Sequence, residues 1–320
     1  MKFKCPRGMR DFYPPEMAIR NWIADRWRRV SLRHAFEEYD GPIFESLDLY
    51  RVKSGGAIVS ELFHFTDRGN REFAIRPEMT PTLARMVADQ AQSLKKPIKW
   101  FSIPRLCRAE RPQRGRLREF FQWNVDVLGE DGVLADAECV FVAIDFFREV
   151  GLTSDHMVFK INSRALLASI LENAQIPSDR FDAVYAVLDR RDKMDDAAFD
   201  KIVADLGVEP AQHDLLIGLG KAKGTDGLEH IRKLLQGHDQ GLKHLGELEQ
   251  LFTLLRTMGV GEFCTFDMGV VRGLAYYTGP VFEAFGKGGL KRAIGGGGRY
   301  DRLLSDVGGP PMSGTGFATS

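Results

Sequence analysis

Between Arg105 and Arg118 the chain packs six arginines and one acidic residue, Glu110. A guanidinium group is always charged and grips phosphate through two parallel hydrogen bonds. Six of them in a short stretch repel one another unless anions sit among them. Pro112 and Gly115 place a loop inside the run. The stretch reads as a phosphate-holding loop. Two plainer readings stand beside it: a solvated basic loop, or arginines paired with carboxylates elsewhere.

The residues just past it sharpen the chemistry. In Phe121-Gln122-Trp123-Asn124-Val125-Asp126-Val127 the odd positions are apolar and the even ones polar. A period of two puts Gln122, Asn124 and Asp126 on one face of a strand and sends the other face to the core. An amide and a carboxylate in line beside an arginine loop can hold an amine or imidazole at a fixed distance from a phosphate. An ordinary half-exposed strand has the same alternation. Two further places supply polar groups. Arg76-Pro77-Glu78-Met79-Thr80-Pro81 sets a carboxylate and a hydroxyl before a helix, where Thr80 is also a candidate cap. Arg272-Gly273-Leu274-Ala275-Tyr276-Tyr277 puts an arginine at a glycine turn leading into a strand. On that strand Tyr276 and Tyr277 point to opposite faces. The glycines at 295–298 allow close approach of a ligand or a tight bend, and the bend is the plainer expectation.

The elements that must position these residues follow from periodicity. Pro14-Pro15 opens a helix whose inner stripe is Ile19, Trp22, Ile23, Trp27 and Val30. Residues 61–76 read as a hairpin turning at Asp67-Arg68-Gly69-Asn70. A helix follows from about 81, with Pro81 first and Leu83, Val87, Ala91 and Leu94 inside. Residues 98–128 form two strands with a charged connection. Residues 136–150 form a helix capped by Asp136 and stopped by Gly151, and Phe159–Asn162 is a strand. From 165 to 255 the pattern is nearly all helical, a separate insertion. Strand patterning returns in 263–268, 275–285 and 290–294. Strands grouped rather than alternating with helices point to an α+β fold with a mostly antiparallel sheet.

Composition limits the partners. Of 320 residues, 44 are Lys or Arg and 44 are Asp or Glu, so no global field recruits a polyanion. Cys5, Cys107, Cys139 and Cys264 show no metal-ligand spacing and suit free thiols in a reducing compartment. No signal-peptide core and no run of about 18 apolar residues occurs, which makes the cytoplasm the expected location and excludes a membrane span. No Gly-x-Gly-x-x-Gly follows a strand and no phosphate-loop Gly-Lys-Ser/Thr occurs. No nucleophile pattern is present either. What the chain offers is positioning and charge stabilisation, the mode of nucleotidyl transfer.

Taken together these segments resemble the class II aminoacyl-tRNA synthetases and, among them, the histidyl-tRNA synthetase family. Gly8-Met9-Arg10-Asp11-Phe12 is similar to the family's N-terminal signature. Pro42-Ile43-Phe44-Glu45 sits where the dimer-forming first motif ends, and Cys107 to Gln122 resembles the second motif. Arg272 to Tyr277, then Val281-Phe282-Glu283, looks like the histidine-specific signature, and Gly297-Gly298-Arg299-Tyr300-Asp301 like the segment after it. The resemblance implies a class II fold with flanking helices and a homodimer. It also implies roles. Arg108 would bind the α-phosphate of ATP, Glu110 and Arg116 its adenine end and outer phosphates, and Phe120 would stack on adenine. Glu78, Thr80 and Gln122 would hold the α-amino group of L-histidine. Asp126 and Tyr277 would hold its imidazole nitrogens, with Tyr276 beside them and Tyr300 closing the pocket. Arg272 would stabilise charge between carboxylate and α-phosphate. Mg²⁺ would arrive on the ATP phosphates, with no protein metal site.

The implied reaction is activation of histidine by ATP, then transfer to the 3′ end of tRNA(His). The implied division is a first core segment (1–164), a helical insertion (165–255) lying against the tRNA acceptor stem, and a second core segment (256–320). The chain departs from the family pattern in three ways. It stops at Gly316-Phe317-Ala318-Thr319-Ser320, inside the third motif. Ala275 stands where aspartate is common. Nothing remains for the C-terminal anticodon-binding domain of roughly 100 residues. These departures motivate one alternative, the non-catalytic, histidine-sensing regulatory subunit of ATP phosphoribosyltransferase.

Overall fold

The computed structural model describes residues 3–320 apart from 55–61, 114, 272–275 and 290–291, with the backbone alone for 52–54 and 193. The chain divides into two compact units, Met1–Glu130 with Asp301–Ser320, and Asp131–Tyr300.

In the first unit α1 (Pro14–Arg33) begins on two prolines, where a missing N–H costs nothing. Its buried residues are Trp27, Val30 and Ser31. Ile19 and Trp22, expected inside, are 64% and 46% exposed. The buried residues of α1 all fall in its C-terminal half. There Trp27 stacks on Trp123, 6.1 Å between centroids and 15° from parallel. The Trp123 Nε1 donates to Ser31 Oγ at 2.9 Å, so the indole's polar atom is satisfied in the core.

Next come β1 (Glu37–Glu38), β2 (Phe44–Ser46), α2 (Leu47–Ser54), β3 (His64–Thr66) and β4 (Glu72–Ile75). β3 and β4 form the expected hairpin. The Asp67 carboxylate accepts from the amides of Gly69 and Arg71 at 2.8 and 2.9 Å, and Asn70 takes φ 58°. β2 pairs antiparallel with β4. α3 (Thr80–Gln90) starts one residue earlier than expected. Met79 occupies the cap position and no side chain caps the helix, so Thr80 is its first residue and its cap role is overturned. α3 also ends before Ala91 and Leu94, leaving Leu83 and Val87 as its buried anchors.

The two strands expected over 98–128 are each broken. β5 (Ile98–Ser102) gives way to β6 (Arg105–Cys107), and β7 (Glu119–Phe121) to β8 (Trp123–Leu128). The breaks fall at Pro104, which has no N–H to give a ladder, and at Gln122, whose amide donates to Pro104 O at 3.2 Å. β6 and β7 pair as a separate hairpin, while β8 lies antiparallel to β5 and β1 runs parallel to β5.

The second unit opens with α4 (Val133–Glu149), three residues before the expected start. Gly132 is its cap, and Gly151 at φ +82° stops it as expected. Asp136 lies inside the first turn and pairs with an arginine instead of capping. β9 (Met157–Ser163) leads to α5 (Arg164–Asn173), α6 (Phe181–Leu188), α7 (Asp196–Ala204), α8 (Pro210–Lys221), α9 (Gly224–Leu234) and α10 (Asp239–Thr257). α10 buries Leu245, Leu248, Leu251 and Leu255 on one face. Each such side chain contributes about 1.5–3 kcal/mol of transfer free energy.

β10 (Cys264–Phe266) runs parallel to β9, and β11 (Pro280–Gly286) antiparallel to it. β12 (Ala293–Arg299) pairs antiparallel with β11 and contains all four glycines of 295–298. They form a strand, not the expected bend. The chain then returns to the first unit through α11 (Leu303–Asp306) and β13 (Gly314–Thr319), which pairs antiparallel with β8. Sheets of mostly antiparallel strands flanked by helices make this the expected α+β fold. Among the described residues no helix is long and apolar enough to cross a membrane.

Candidate active site

The arginine stretch folds into the β6–β7 hairpin. Arg105 pairs with Phe121 and Cys107 with Glu119. The ladder continues through Arg108 N–H to Arg118 O at 2.8 Å and closes with Gln113 and Arg116 exchanging amide bonds at 3.0 and 2.9 Å. Gly115 supplies the positive φ, +74°, that the tight turn needs. Arg108 Nε donates to Pro77 O at 3.1 Å, and its guanidinium lies 5.1 Å from the Phe120 ring centre. Arg116 pairs with Glu110 across the hairpin, and Arg118 Nε donates to Glu110 O at 3.0 Å. Arg105 reaches Glu119 at 3.4 Å. The plainer reading of the arginines therefore holds in part. Arg116 is 38% exposed, and a pair this accessible is worth about 0–1 kcal/mol. A bidentate phosphate can displace it. Arg111 is exposed, and Arg114 lies outside the described residues.

Pro77 joins this hairpin to the next candidate residue. Arg76, 4% exposed, donates to Asp40 Oδ1 at 2.6 Å, Gly41 O at 2.8 Å and Arg105 O at 3.2 Å. The Cys107 amide returns a bond to Arg76 O at 3.0 Å. The end of β4 is thus stitched to β6, which sets half-buried Glu78 and Thr80 one step from the Arg108 contact. Sequence reasoning missed Arg76, although it stands in the segment that drew attention to Glu78.

Gln122 sits at the break before β8, half buried. On β8, Asn124 and Asp126 alternate with Trp123, Val125 and Val127 as expected, but both faces are covered, and Asn124 and Asp126 are each 4% exposed. β13 lies over Asp126 at Gly316. A Cβ at 316 would overlap the Asp126 carboxylate and stand 2.6 Å from Val125 O. Burial pushes the Tyr39 hydroxyl well above its ordinary pKa, and the Asp126 charge adds to the shift. Within this unit Arg108 contacts Phe120 and the backbone beside Glu78, and Arg116 pairs with Glu110, while Gln122 and Asp126 follow the hairpin, at the break and on β8.

The second unit gathers the tyrosines. Tyr276 and Tyr277 precede β11 rather than lying on it, so strand alternation does not separate them. Their ring centres are 4.7 Å apart, and Tyr300 meets Tyr276 edge to face at 6.1 Å. Tyr277 is 7% exposed and Tyr300 2%. A Cβ at Gly298 would stand 3.0 Å from the Tyr277 ring and 2.6 Å from Pro280 O. The next residue, Arg299, donates from Nε to Asp136 Oδ2 at 3.0 Å and from Nη2 to Gly132 O at 2.8 Å. The pair is buried, 6% and 1% exposed. Arg272 and Ala275 lie outside the described residues. The approach to them is held by Asn162, 1% exposed, whose amide donates to Met268 O and Val270 O, both at 3.1 Å.

The histidyl-tRNA synthetase family matches residues 8–320. The chain is 40% identical to the chloroplastic/mitochondrial histidine–tRNA ligase of Arabidopsis thaliana over 98% of its own length and 63% of the relative's. It is 42% identical to a histidine–tRNA ligase of Opitutus terrae over 99% of its length and 72% of the relative's. Among solved structures it resembles histidyl-tRNA synthetase from Nostoc (TM-score 0.88, 25% identity, all of this chain and 73% of that one). It also resembles a Bacillus halodurans protein described as an ATP phosphoribosyltransferase regulatory subunit/histidyl-tRNA synthetase (TM-score 0.86, 26% identity, all of this chain and 81% of that one). With the motif hairpin, the buried Asp126 and a match along nearly its whole length, the chain belongs to the histidyl-tRNA synthetase family.

Proposed function

We propose that the chain activates L-histidine with ATP and hands the product to the 3′ end of tRNA(His). The carrying observation is the Arg108–Pro77 hydrogen bond. It ties the guanidinium suited to the α-phosphate to the backbone beside Glu78, the carboxylate suited to the α-amino group. Arg108 then aligns the α-phosphate for attack by the histidine carboxylate oxygen. A bond forms from that oxygen to phosphorus, the bond to the bridging oxygen breaks, and pyrophosphate leaves. Arg116 and Glu110 hold the outer phosphates and the adenine end, and Phe120 supplies a stacking surface. Thr80 and Gln122 assist Glu78. Asp126 is the acceptor for an imidazole nitrogen, and Tyr276, Tyr277 and Tyr300, clustered within the second unit, are the aromatic residues that the family resemblance assigns to histidine. Arg272 would spread the negative charge that develops between the carboxylate and the α-phosphate. In the second step a ribose hydroxyl at the tRNA end attacks the acyl carbon and AMP departs.

Mg²⁺ travelling with ATP would neutralise charge on the phosphates. Among the described residues no cluster of three or more His, Cys, Asp or Glu side chains is placed to hold a metal. Residues 165–255 are proposed as an insertion that lies along the tRNA acceptor stem, between core segments 1–164 and 256–320. A homodimer through Pro42–Glu45 is supported by the outward Ile43 and Phe44, 66% and 48% exposed. A cytoplasmic location is supported by four free cysteines.

Histidine-dependent ATP–pyrophosphate exchange, followed by charging of tRNA(His), tests this reading. Histidine binding without exchange would transfer support to the regulatory-subunit alternative. That alternative is the weaker one, because the curated relatives quoted above are named as ligases and Arg108 and Arg116 are retained.

A further inference from the structure

The tail before α1 lies on the hairpin that carries Arg108 and Arg116, and it holds that hairpin at two points. Near the turn, Arg118 N–H donates to Gly8 O at 2.7 Å. Gly8 has φ +86°, and a Cβ there would stand 2.6 Å from Pro112 Cγ and 3.0 Å from Arg118 Cδ. Backbone conformation and space thus demand glycine independently. At the base of the hairpin, Phe12 meets Phe121 edge to face, 5.9 Å between centroids at 76°. Arg20 of α1 lies 4.3 Å from the Phe121 centre, and Arg10 lies 4.3 Å from that of Phe12.

The hairpin needs such restraint. Its strands are three residues each and, among the described residues, pair as strands only with one another. A lone two-stranded ribbon is marginal in water. Misplacing a catalytic group by 1 Å costs about 100-fold in rate. Arg108 has Pro77 to hold it on one strand, and Arg118, its cross-strand partner two residues from Arg116, has the tail.

We propose that Gly8 to Phe12 form a strap that positions the phosphate-binding hairpin, so that the N-terminal tail sets ATP use without touching histidine. Gly8 and Phe12 are its positioning residues. The strap rests on the reading of the hairpin as the ATP site.

The test uses the full chain with Gly8→Ala, Phe12→Ala and the conservative Phe12→Tyr. Three quantities are measured: the ATP KM and kcat in pyrophosphate exchange, the histidine Kd by calorimetry, and hydrogen exchange of the Arg116 and Arg118 amides. The strap predicts an ATP KM raised about 10- to 100-fold in Gly8→Ala and Phe12→Ala. It also predicts faster amide exchange in the hairpin, a histidine Kd within about twofold, and recovery in Phe12→Tyr. Should Gly8→Ala fail to fold, the Phe12 pair decides. Unchanged ATP KM and amide exchange overturn the strap, as does an equal loss of ATP and histidine binding. If the parent chain shows no pyrophosphate exchange, the proposed function fails, and the amide exchange alone upholds or overturns the strap.

Discussion

Gly316 faces Asp126 across the β8–β13 pair, and the space left by its missing side chain is filled by the Asp126 carboxylate. Gly316→Ala is expected to displace that carboxylate and press on Val125 O. Overpacking of this kind costs about 1–3 kcal/mol of stability. On the proposed reading of Asp126 as the imidazole acceptor, histidine affinity should fall about tenfold or more. Calorimetric titration beside a thermal melt separates the two effects. Wild-type affinity in a folded variant would remove Asp126 from the recognition of histidine.

Asp126→Asn keeps the shape and removes the charge. A buried hydrogen bond to a charged group is worth about 1.5–3 kcal/mol, so histidine should bind roughly 10- to 100-fold more weakly. Asp126→Ala should also blunt discrimination between histidine and an isosteric analogue lacking the ring N–H. Equal loss for both ligands would show that Asp126 supports the strand and does not read the ring.

Arg108→Ala and Arg272→Ala should each leave the fold intact and cut adenylate formation about 100-fold or more, as expected of a lost transition-state donor. Single-turnover formation of histidyl-adenylate gives the number. A wild-type rate in either variant would remove that arginine from the mechanism.

Asp192 gives a pH prediction. Burial alone would raise its pKa, but Lys160 and Lys223, the latter at 2.7 Å, outweigh burial and hold it at about 2. A folded value below the unfolded one means that the contribution is complete above about pH 4 and fades as pH falls toward 2. Its side chain is 48% exposed, so screening keeps the effect below about 1 kcal/mol. Asp192→Asn should be slightly less stable than wild type at pH 6, with the gap closing by pH 2 and in high salt. Denaturant midpoints across pH measure it. A gap that widens in acid would contradict the assignment.

The ion pair of Arg299 with Asp136 should be costly to halve. Arg299→Met leaves a buried carboxylate without its counter-ion, a loss of about 3–5 kcal/mol. Replacing Asp136 by Leu in the same chain should recover part of it. A double-mutant cycle read by chemical unfolding provides the comparison.

The sequence reveals most where side-chain type and period coincide. Arginines around a Pro and a Gly mark the β6–β7 hairpin, and alternation from Gln122 to Asp126 marks the strand that follows. The leucines of α10 recur at helical spacing and are buried. What stayed hidden depends on partners far away in the chain. Alternation on β8 shows which residues share a face, but not that both faces are covered. Ile19 and Trp22 fit a helical stripe, yet nothing in α1 itself says that its buried residues begin at Trp27. Glycines carry no pattern, so 295–298 read as a bend although they form a strand. Arg76 and Arg299 owe their importance to Asp40 and Asp136, and pairing at such distances leaves no local mark.

The near-parallel indoles of Trp27 and Trp123 give the molecule an optical property. Two transition dipoles this close couple, so the near-ultraviolet circular dichroism should carry a tryptophan signature beyond that of isolated indoles. Trp123 lies on the same strand as Asp126. Ligand binding that tightens β8 should therefore change that spectrum, which gives a label-free test of the proposed role of Asp126 in binding histidine.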